Sequence, residues 1–454
     1  MARRRKDVDL LRVIDLLQTH ITPALCGAVF GQVRRTERQR VWTLEALVRF
    51  WTAVVLRAPP ALSQALADSL ERRDPLLPRI EASPEAFFQR CRDLRPAFFA
   101  EVFRRFTGRL IQAAPPRYAA EMAPVAARFA TIVILDGSRL AAIAHRLKLL
   151  WNERAVVLPG CLLGVYDLGR GLCRRLYFSA DAAASEMTRA KAALADLARD
   201  TLMLGDRLYG TADFFAALAA RRCWGVVRRN RQLSLRKVQR LRKRRIHGGL
   251  LEDWLVDAGT GVSAPTQRLR YIRWRRGGTR YELLTNVLAP ARLRAEEALD
   301  LYPYRWGIER MFYDLKEVLN LNRLYAANPN AVAMQVYAAA LVYNALRVAQ
   351  SEGAAQVGVA PETISPAKFY PKVVTATFLY LHEQQWERQW RQQHPRHHLC
   401  LVAGRRRWRR TPLGPLQVER RDAHRRRRRF CPARRQWKSL KHVRGGRRFI
   451  SELS

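Results

Sequence analysis

Thr131-Ile-Val-Ile-Leu-Asp-Gly-Ser138 is a β-branched, aliphatic run that stops at an acid. Thr201-Leu-Met-Leu-Gly-Asp-Arg-Leu-Tyr209 repeats the plan. Short apolar runs without polar alternation read as strands covered on both faces. An acid closing such a run sits at the strand's carboxyl end, where open α/β sheets assemble their ligand crevice. Asp136 and Asp206 are therefore paired candidates, although a single Asp after a strand is more often a turn residue.

The surrounding sequence fills in a sheet. Residues 161–166 and 172–179 are strand candidates joined by the hairpin turn Asp167-Leu-Gly-Arg-Gly171. Residues 186–199 are Ala-rich and helical, 211–221 are helical, and Cys223-Trp-Gly-Val-Val227 is a fifth strand. The order β-β-β-α-β-α-β gives three antiparallel strands and then crossovers. That suits an α/β sheet with helices on both faces.

Working outward, residues 1–112 read as helices. Trp42 to Arg57 has apolar residues at helical spacing, and Ser83-Pro-Glu is a capping hydroxyl followed by proline at the first helical position. The three prolines between Ala113 and Pro124 mark a linker, 113–128, before the first part of the core at 129–228. A β-rich insertion is expected over 229–290, with strands at 254–258, 268–274 and 281–287. The core resumes over 291–352. A helical region, 353–403, and an Arg-rich tail, 404–454, complete the chain. No internal repeat is visible.

At about 150 residues per domain, 454 residues correspond to about three domains. Lys and Arg number 82 against 39 Asp and Glu, a formal charge of +43. With 48% apolar residues the chain has ample material for a core. A folded protein this basic repels itself unless it meets a polyanion, and nucleic acid is the simplest one. Small-molecule metabolic enzymes become poor candidates, and a GC-rich genome's taste for Arg explains only part of the excess. Twelve of the bases lie between Arg221 and Arg245, which has no acid, and Arg405 to Arg448 carries a net +17. Arg34, Arg35, Arg38 and Arg40 form a smaller cluster.

Seven dispersed cysteines with no CxxC pair fit a reducing compartment and exclude a disulfide framework. The start, Met1-Ala-Arg-Arg-Arg-Lys6, lacks the apolar stretch of a signal peptide. The apolar run 331–348 contains Gln335, Asn344 and Arg347, so a buried helix is expected rather than a membrane span. The expectation is a soluble, cytoplasmic, nucleoid-associated protein with no membrane partner.

A third acid joins Asp136 and Asp206 through Leu301-Tyr-Pro-Tyr-Arg-Trp-Gly-Ile-Glu-Arg-Met-Phe-Tyr-Asp-Leu-Lys316. At about 100° per residue, Tyr302, Arg305, Glu309 and Lys316 share an arc of about 60°, while Asp314 points elsewhere. A solvated face produces such a pattern by chance, but Phe312, Leu315 and Leu319 indicate a buried helix. Breaking a DNA phosphodiester in line needs an activated oxygen nucleophile and a neutralised leaving oxygen. Two divalent ions about 4 Å apart do both, and carboxylates are their natural ligands. Asp136, Asp206 and Glu309 are the expected ligands. Arg305 and Lys316 are expected at phosphate, with the Tyr302 hydroxyl orienting a phosphate oxygen or water.

Tyr302-x2-Arg305-x3-Glu309-x6-Lys316 is similar to the signature of the fourth family of bacterial insertion-sequence transposases, a branch of the Asp-Asp-Glu (DDE) transposases. Asp136-Gly-Ser and Asp206-Arg-Leu-Tyr resemble that family's first and second acidic motifs. The likeness covers about residues 131–350 and weakens over the helical N-terminus. It implies an RNase H-like catalytic core interrupted by a β-rich insertion between the second Asp and the Glu. It also implies an N-terminal domain that binds transposon ends, dependence on Mg²⁺ (two ions, with Mn²⁺ as substitute), and cut-and-paste transposition. The implied partners are double-stranded DNA, as terminal inverted repeats and target, and a second copy in a synaptic homodimer. Some members excise through a DNA hairpin. A flipped base would need an aromatic platform, for which Trp254 and Trp274 are the candidates in the insertion, each as readily a packing residue. The tail after Gly404 is longer and more basic than the family pattern requires.

Other readings are open to the same residues. His394, His397, His398 and Cys400, with His424, Cys431 and His442 downstream, look like zinc ligands but lack finger spacing. A tyrosine recombinase would need a nucleophilic Tyr with an Arg/His set, and is rejected because His424-Arg-Arg-Arg lies in the tail. A catalytically inactive or domesticated transposase acting as a DNA-binding protein would retain the charge without need of the acids. A Mg²⁺-dependent DNA nuclease would use the same acids without strand transfer.

Overall fold

The computed structural model describes residues 7–33, 40–71, 73–140, 160–260, 266–393 and 409–418. Arg34, Arg35 and Arg38, the histidines and cysteines from His394 to His442, and most of the Arg-rich tail lie outside these residues. The chain begins with strand β1 (Asp7–Asp9) and helices α1 (Arg12–His20), α2 (Pro23–Val33), α3 (Leu44–Arg57), α4 (Leu62–Leu70), α5 (Pro84–Asp93) and α6 (Pro96–Ala113). The caps follow from sequence. Thr43 and Ser83 accept hydrogen bonds from Ala46 N and Ala86 N at the starts of α3 and α5, and Pro84 occupies the first turn. A one-turn helix, α7 (Ala123–Ala126), leads into the sheet.

Strands β2 (Thr131–Arg139), β3 (Cys161–Asp167) and β4 (Leu172–Ser179) form an antiparallel meander. Helix α8 (Glu186–Ala193) crosses to β5 (Thr201–Gly205), and α9 (Ala212–Ala220) crosses to β6 (Trp224–Arg228). Both β5 and β6 run parallel to β2. Ile132, Ile134, Leu202 and Leu204 face one core, while Val133, Leu135 and Met203 face a second core that includes α8 and α9. Burial on both faces is why these strands are continuously apolar. One detail differs from the sequence reading. β2 does not stop at Asp136 but continues to Arg139, because β3 keeps pairing with it, Asp136 opposite Gly164.

The β-rich insertion is present but is not a separate body. Strands β7 (Leu235–Ile246), β8 (Gly249–Ala258), β9 (Gln267–Arg276) and β10 (Thr279–Thr285) continue the same sheet. Among the described residues its order is β4-β3-β2-β5-β6-β10-β9-β8-β7. β10 pairs with β6 through Leu283 to Thr285, and the two-residue turn Gly277-Gly278 links β9 to β10. The basic stretch read only as charge contains β7, the edge strand. Arg270, fully buried, locks the extension to the core: it pairs with Asp253 and donates to the carbonyls of Val287 and Leu293.

Next come α10 (Ala295–Leu301), α11 (Trp306–Tyr313), α12 (Pro329–Val357) and α13 (Pro366–Gln393), and then strand β11 (Arg410–Pro412). α12 is buried on nearly every side and contains an apolar stretch long enough to cross a membrane, which is wholly buried here. Asn328 caps its start, Pro329 fills the first position, and Gly358 at φ 68° ends it. α1, α3 and α6 pack directly on α12, so the N-terminal helices share one hydrophobic core with the sheet. The proline-rich segment is likewise no free linker. Tyr118 within it is buried, donates to the Arg347 carbonyl at 2.7 Å and lies under the Arg347 guanidinium. The start of the tail is structural too: β11 pairs antiparallel with β1, and Arg409 bridges Asp9 and Asp15.

Candidate active site

The parallel pairing of β2 with β5 ends at Ile134 and Leu204. Continued by two residues, that register sets Asp136 level with Asp206. Asp206 leaves the sheet and caps a short 3₁₀ turn, Arg207–Tyr209, its carboxylate accepting from Leu208 N at 2.7 Å. Glu309 arrives from above on α11, which packs on β2 and β3. Glycines permit that approach: a Cβ at Gly164 would press on Met311 and Phe312, and one at Gly307 on Tyr166.

Arg305 ties the acids together. Its guanidinium is 2.8 Å from Glu309 and 3.7 Å from Asp136. Only 8% of Arg305 is exposed, and it stacks on the half-exposed Trp306 ring. Burial, and then the charges of Asp206 and Glu186, push the Asp136 carboxyl up to about 7 against the pull of Arg305. The strand end is therefore short of positive charge.

The four-residue signature converges, though not as one regular helix. Tyr302–Arg305 is a 3₁₀ turn and Asp314–Val318 a π-helical turn, closed by Leu319 N on the Asp314 carbonyl. Two of the expected roles change with that geometry. The Tyr302 hydroxyl is buried and donates to the Gly205 carbonyl at 3.1 Å, so it steadies the residue before Asp206 rather than facing a phosphate. Lys316 Nζ donates to Ser138 Oγ and the Arg139 carbonyl, both at 2.8 Å, which anchors the end of β2. Burial lowers the Lys316 pKa. Asp314 points away from the acids, as the periodicity predicts, and is 1% exposed.

The aromatic platform fares differently. Trp274 is 1% exposed, with its indole N–H on the Ile246 carbonyl, so it packs the β8–β9 region and offers no face to a base. Trp254 is half-buried, and Lys237 and Arg240 lie over its ring at 4.4 and 5.5 Å. Several of the bases on β7 also serve the fold: Arg236 pairs with Asp257, and Arg242 and Arg244 with Glu296.

Sequence reading missed Glu186 and Tyr209. The Tyr209 hydroxyl donates to Glu186 at 2.8 Å, and a Cβ at Gly137 would overlap the Glu186 carboxylate. An acid in the first turn of an Ala-rich helix is so common a helix-start signal that nothing marked this one.

Among the described residues, no three His, Cys, Asp or Glu are gathered tightly enough to share one ion. Glu309 is engaged by Arg305, Asp206 by Leu208 N and Glu186 by Tyr209. The donors nevertheless suit a hard divalent cation. They are carboxylates from separate elements, gathered where burial and like charge already disfavour ionised Asp136.

Residues 162–345 match the family described as transposase DDE domain, a stretch that includes Asp206 and Glu309 and begins after Asp136. The chain is 31% identical over 114 residues to the protein named "Probable transposase for insertion sequence element IS5377" of Geobacillus stearothermophilus, covering 25% of this chain and 29% of that relative. It is 30% identical over 94 residues to the protein named "Putative transposase for insertion sequence element IS4SA" of Synechocystis, covering 20% of this chain and 27% of that relative. The chain thus spans less than a third of the length of these curated relatives. A piggyBac transposase synaptic complex with hairpin DNA aligns over 85% of this chain and 84% of its own, at 12% identity and a TM-score of 0.40. The domain match and the names of both relatives point to the same kind of protein, an insertion-sequence transposase with a DDE domain, as what this chain is similar to.

Proposed function

We propose that this chain is an insertion-sequence transposase of the fourth-family type, built on an RNase H-like core, that cuts double-stranded transposon ends and joins them to target DNA. The observation that carries this reading is that Arg305 stands between Asp136 and Glu309, while Asp206, at the end of the neighbouring parallel strand, is close enough for its charge to act on Asp136. Asp136, Asp206 and Glu309 would hold Mg²⁺, with Mn²⁺ as substitute. When bound, two such ions supply the charge that activates the attacking oxygen and stabilises the leaving one. Cleavage is in-line attack of water on a phosphodiester, freeing a 3′-hydroxyl. Joining is attack of that hydroxyl on a target phosphodiester, forming a new P–O bond as the target's own P–O3′ bond breaks and its 3′-oxygen leaves as a hydroxyl.

The chain's own residues set the stage for both steps. Arg305, once Glu309 turns away from it, keeps a buried, fixed positive charge for the incoming phosphate. Tyr302 and Lys316 hold the Asp206 turn and the β2 end in place through backbone carbonyls. The excess basic charge would follow the phosphate backbone without reading bases, and a homodimer would pair the two transposon ends. The test is cleavage of labelled element ends by the purified full chain with Mg²⁺. Asp136→Ala, Asp206→Ala and Glu309→Ala should each abolish cleavage and joining while DNA binding persists; full cleavage by any one overturns the assignment. Cutting without joining would identify a nuclease, and binding without cutting a domesticated DNA-binding protein.

A further inference from the structure

Asp136 and Asp206 approach the site along one face of the sheet, but Glu186 comes from the other. It opens α8, whose Ala190 and Ala193 belong to the second core, and Ser185 caps the helix by accepting from Thr188 N. Residue 137 of β2 points to that same side, and it is glycine. Any side chain there would occupy the space of the Glu186 carboxylate. One Glu186 oxygen accepts the hydroxyl hydrogen of Tyr209, fully buried at the end of the turn that Asp206 caps. Tyr209 in turn lies against Gly205, where a Cβ would meet its ring at 2.6 Å. Glu186 therefore touches both acid-bearing segments at once, Gly137 beside Asp136 and Tyr209 beside Asp206.

We propose that Glu186 is a positioning residue of the active site, which through Tyr209 and Gly137 sets the placement of Asp136 relative to Asp206 and thereby their affinity for a divalent cation. The proposal rests on the reading of these acids as a metal-dependent site. Packing alone does not call for a glutamate here. The buried Tyr209 hydroxyl is held more strongly by a carboxylate than by the neutral amide of a glutamine, so the charge itself tightens the tether between the two acid-bearing segments. A carboxylate kept among carboxylates makes sense where a cation repays the repulsion. Residues that orient metal ligands without themselves ligating change metal affinity by about 10–100-fold when removed.

The experiment measures Mn²⁺ binding to the full chain by loss of the free-ion electron paramagnetic resonance signal, with the melting temperature recorded for each variant. Glu186→Gln is expected to weaken Mn²⁺ binding by about tenfold or more at an unchanged melting temperature. Tyr209→Phe should act in the same direction, and Glu186→Asp should recover part of the loss. Gly137→Ala should mimic Glu186→Gln by pushing the carboxylate aside. Asp136→Asn supplies the control: if it abolishes Mn²⁺ binding while Glu186→Gln binds within twofold of the parent, Glu186 is structural and the proposal is overturned. If Asp136→Asn and Asp206→Asn bind Mn²⁺ as the parent does, the metal-site reading itself fails. Should Glu186→Gln not fold, Tyr209→Phe and Gly137→Ala decide, weakened binding supporting the proposal and parental binding overturning it.

Discussion

Asp314→Asn isolates the energetic consequence of the π-helical turn that closes the catalytic helix. Asp314 is 1% exposed, and neither carboxylate oxygen accepts a hydrogen bond, although Arg310 Nε stands 3.3 Å away. Burial, opposed by Arg310 and Arg347, raises its pKa from 3.8 to about 6. A carboxyl whose pKa rises on folding favours the fold in its protonated form. Its contribution is fully present below the unfolded pKa and is lost as pH rises through the folded one. At about 1.4 kcal/mol per unit, ionised Asp314 costs about 3 kcal/mol at pH 7.5 and about 1 kcal/mol at pH 4.5. Asparagine removes that pH dependence. In urea unfolding followed by tryptophan fluorescence, the stability of Asp314→Asn relative to the parent should grow by about 2 kcal/mol between pH 4.5 and 7.5, then level off. Any fixed offset from the new amide is independent of pH and leaves this difference intact. A flat difference, or one that shrinks with rising pH, would refute the reasoning and show that Arg310 and Arg347 compensate the charge fully.

Three further expectations bear on the site and the tail. Arg305→Ala should slow single-turnover cleavage by at least about tenfold, and Lys316→Ala should do so less completely than loss of an acid; a parental rate for Arg305→Ala would remove it from the chemistry. Trp274→Ala should destabilise the fold by about 3–5 kcal/mol, read as a large fall in melting temperature, whereas unchanged stability would return it to the list of DNA-facing residues. Truncation after Val418 should weaken binding to unrelated DNA and flatten its salt dependence at constant melting temperature, while truncation after Gly404 should also lower the melting temperature by removing β11 and Arg409. An unchanged salt slope would mean that the tail does not touch phosphates.

What the sequence reveals and conceals divides along physical lines. The strands of the first sheet half were legible because two-sided burial makes them uniformly apolar, and the acids because they interrupt that pattern. Tyr302, Arg305, Glu309 and Lys316 were legible as a set because helical spacing survives modest distortion, even with a 3₁₀ turn before Glu309 and a π turn after it. Their individual jobs were not, since a buried tyrosine hydroxyl takes whichever carbonyl lies nearest in three dimensions. β7 was hidden because an edge strand with two solvated faces shows charge and no alternation. Glu186 was hidden because its partners, Gly137 and Tyr209, are distant in sequence and speak only through a missing side chain and a hydroxyl.

The unbroken sheet has a mechanical meaning. β7 stands six strand spacings from β2, across β5, β6, β10, β9 and β8. At about 4.8 Å per spacing that is roughly 29 Å along the sheet, comparable with the rise of about eight base pairs of duplex. Among the described residues each strand of that path is hydrogen-bonded to the next, and Arg270 bolts the outer strands to the segment leading into α10. The sheet therefore holds its basic rim at a fixed reach from Asp136, and under the proposed function the number of strands would set the distance between the DNA held at that rim and the bond cut.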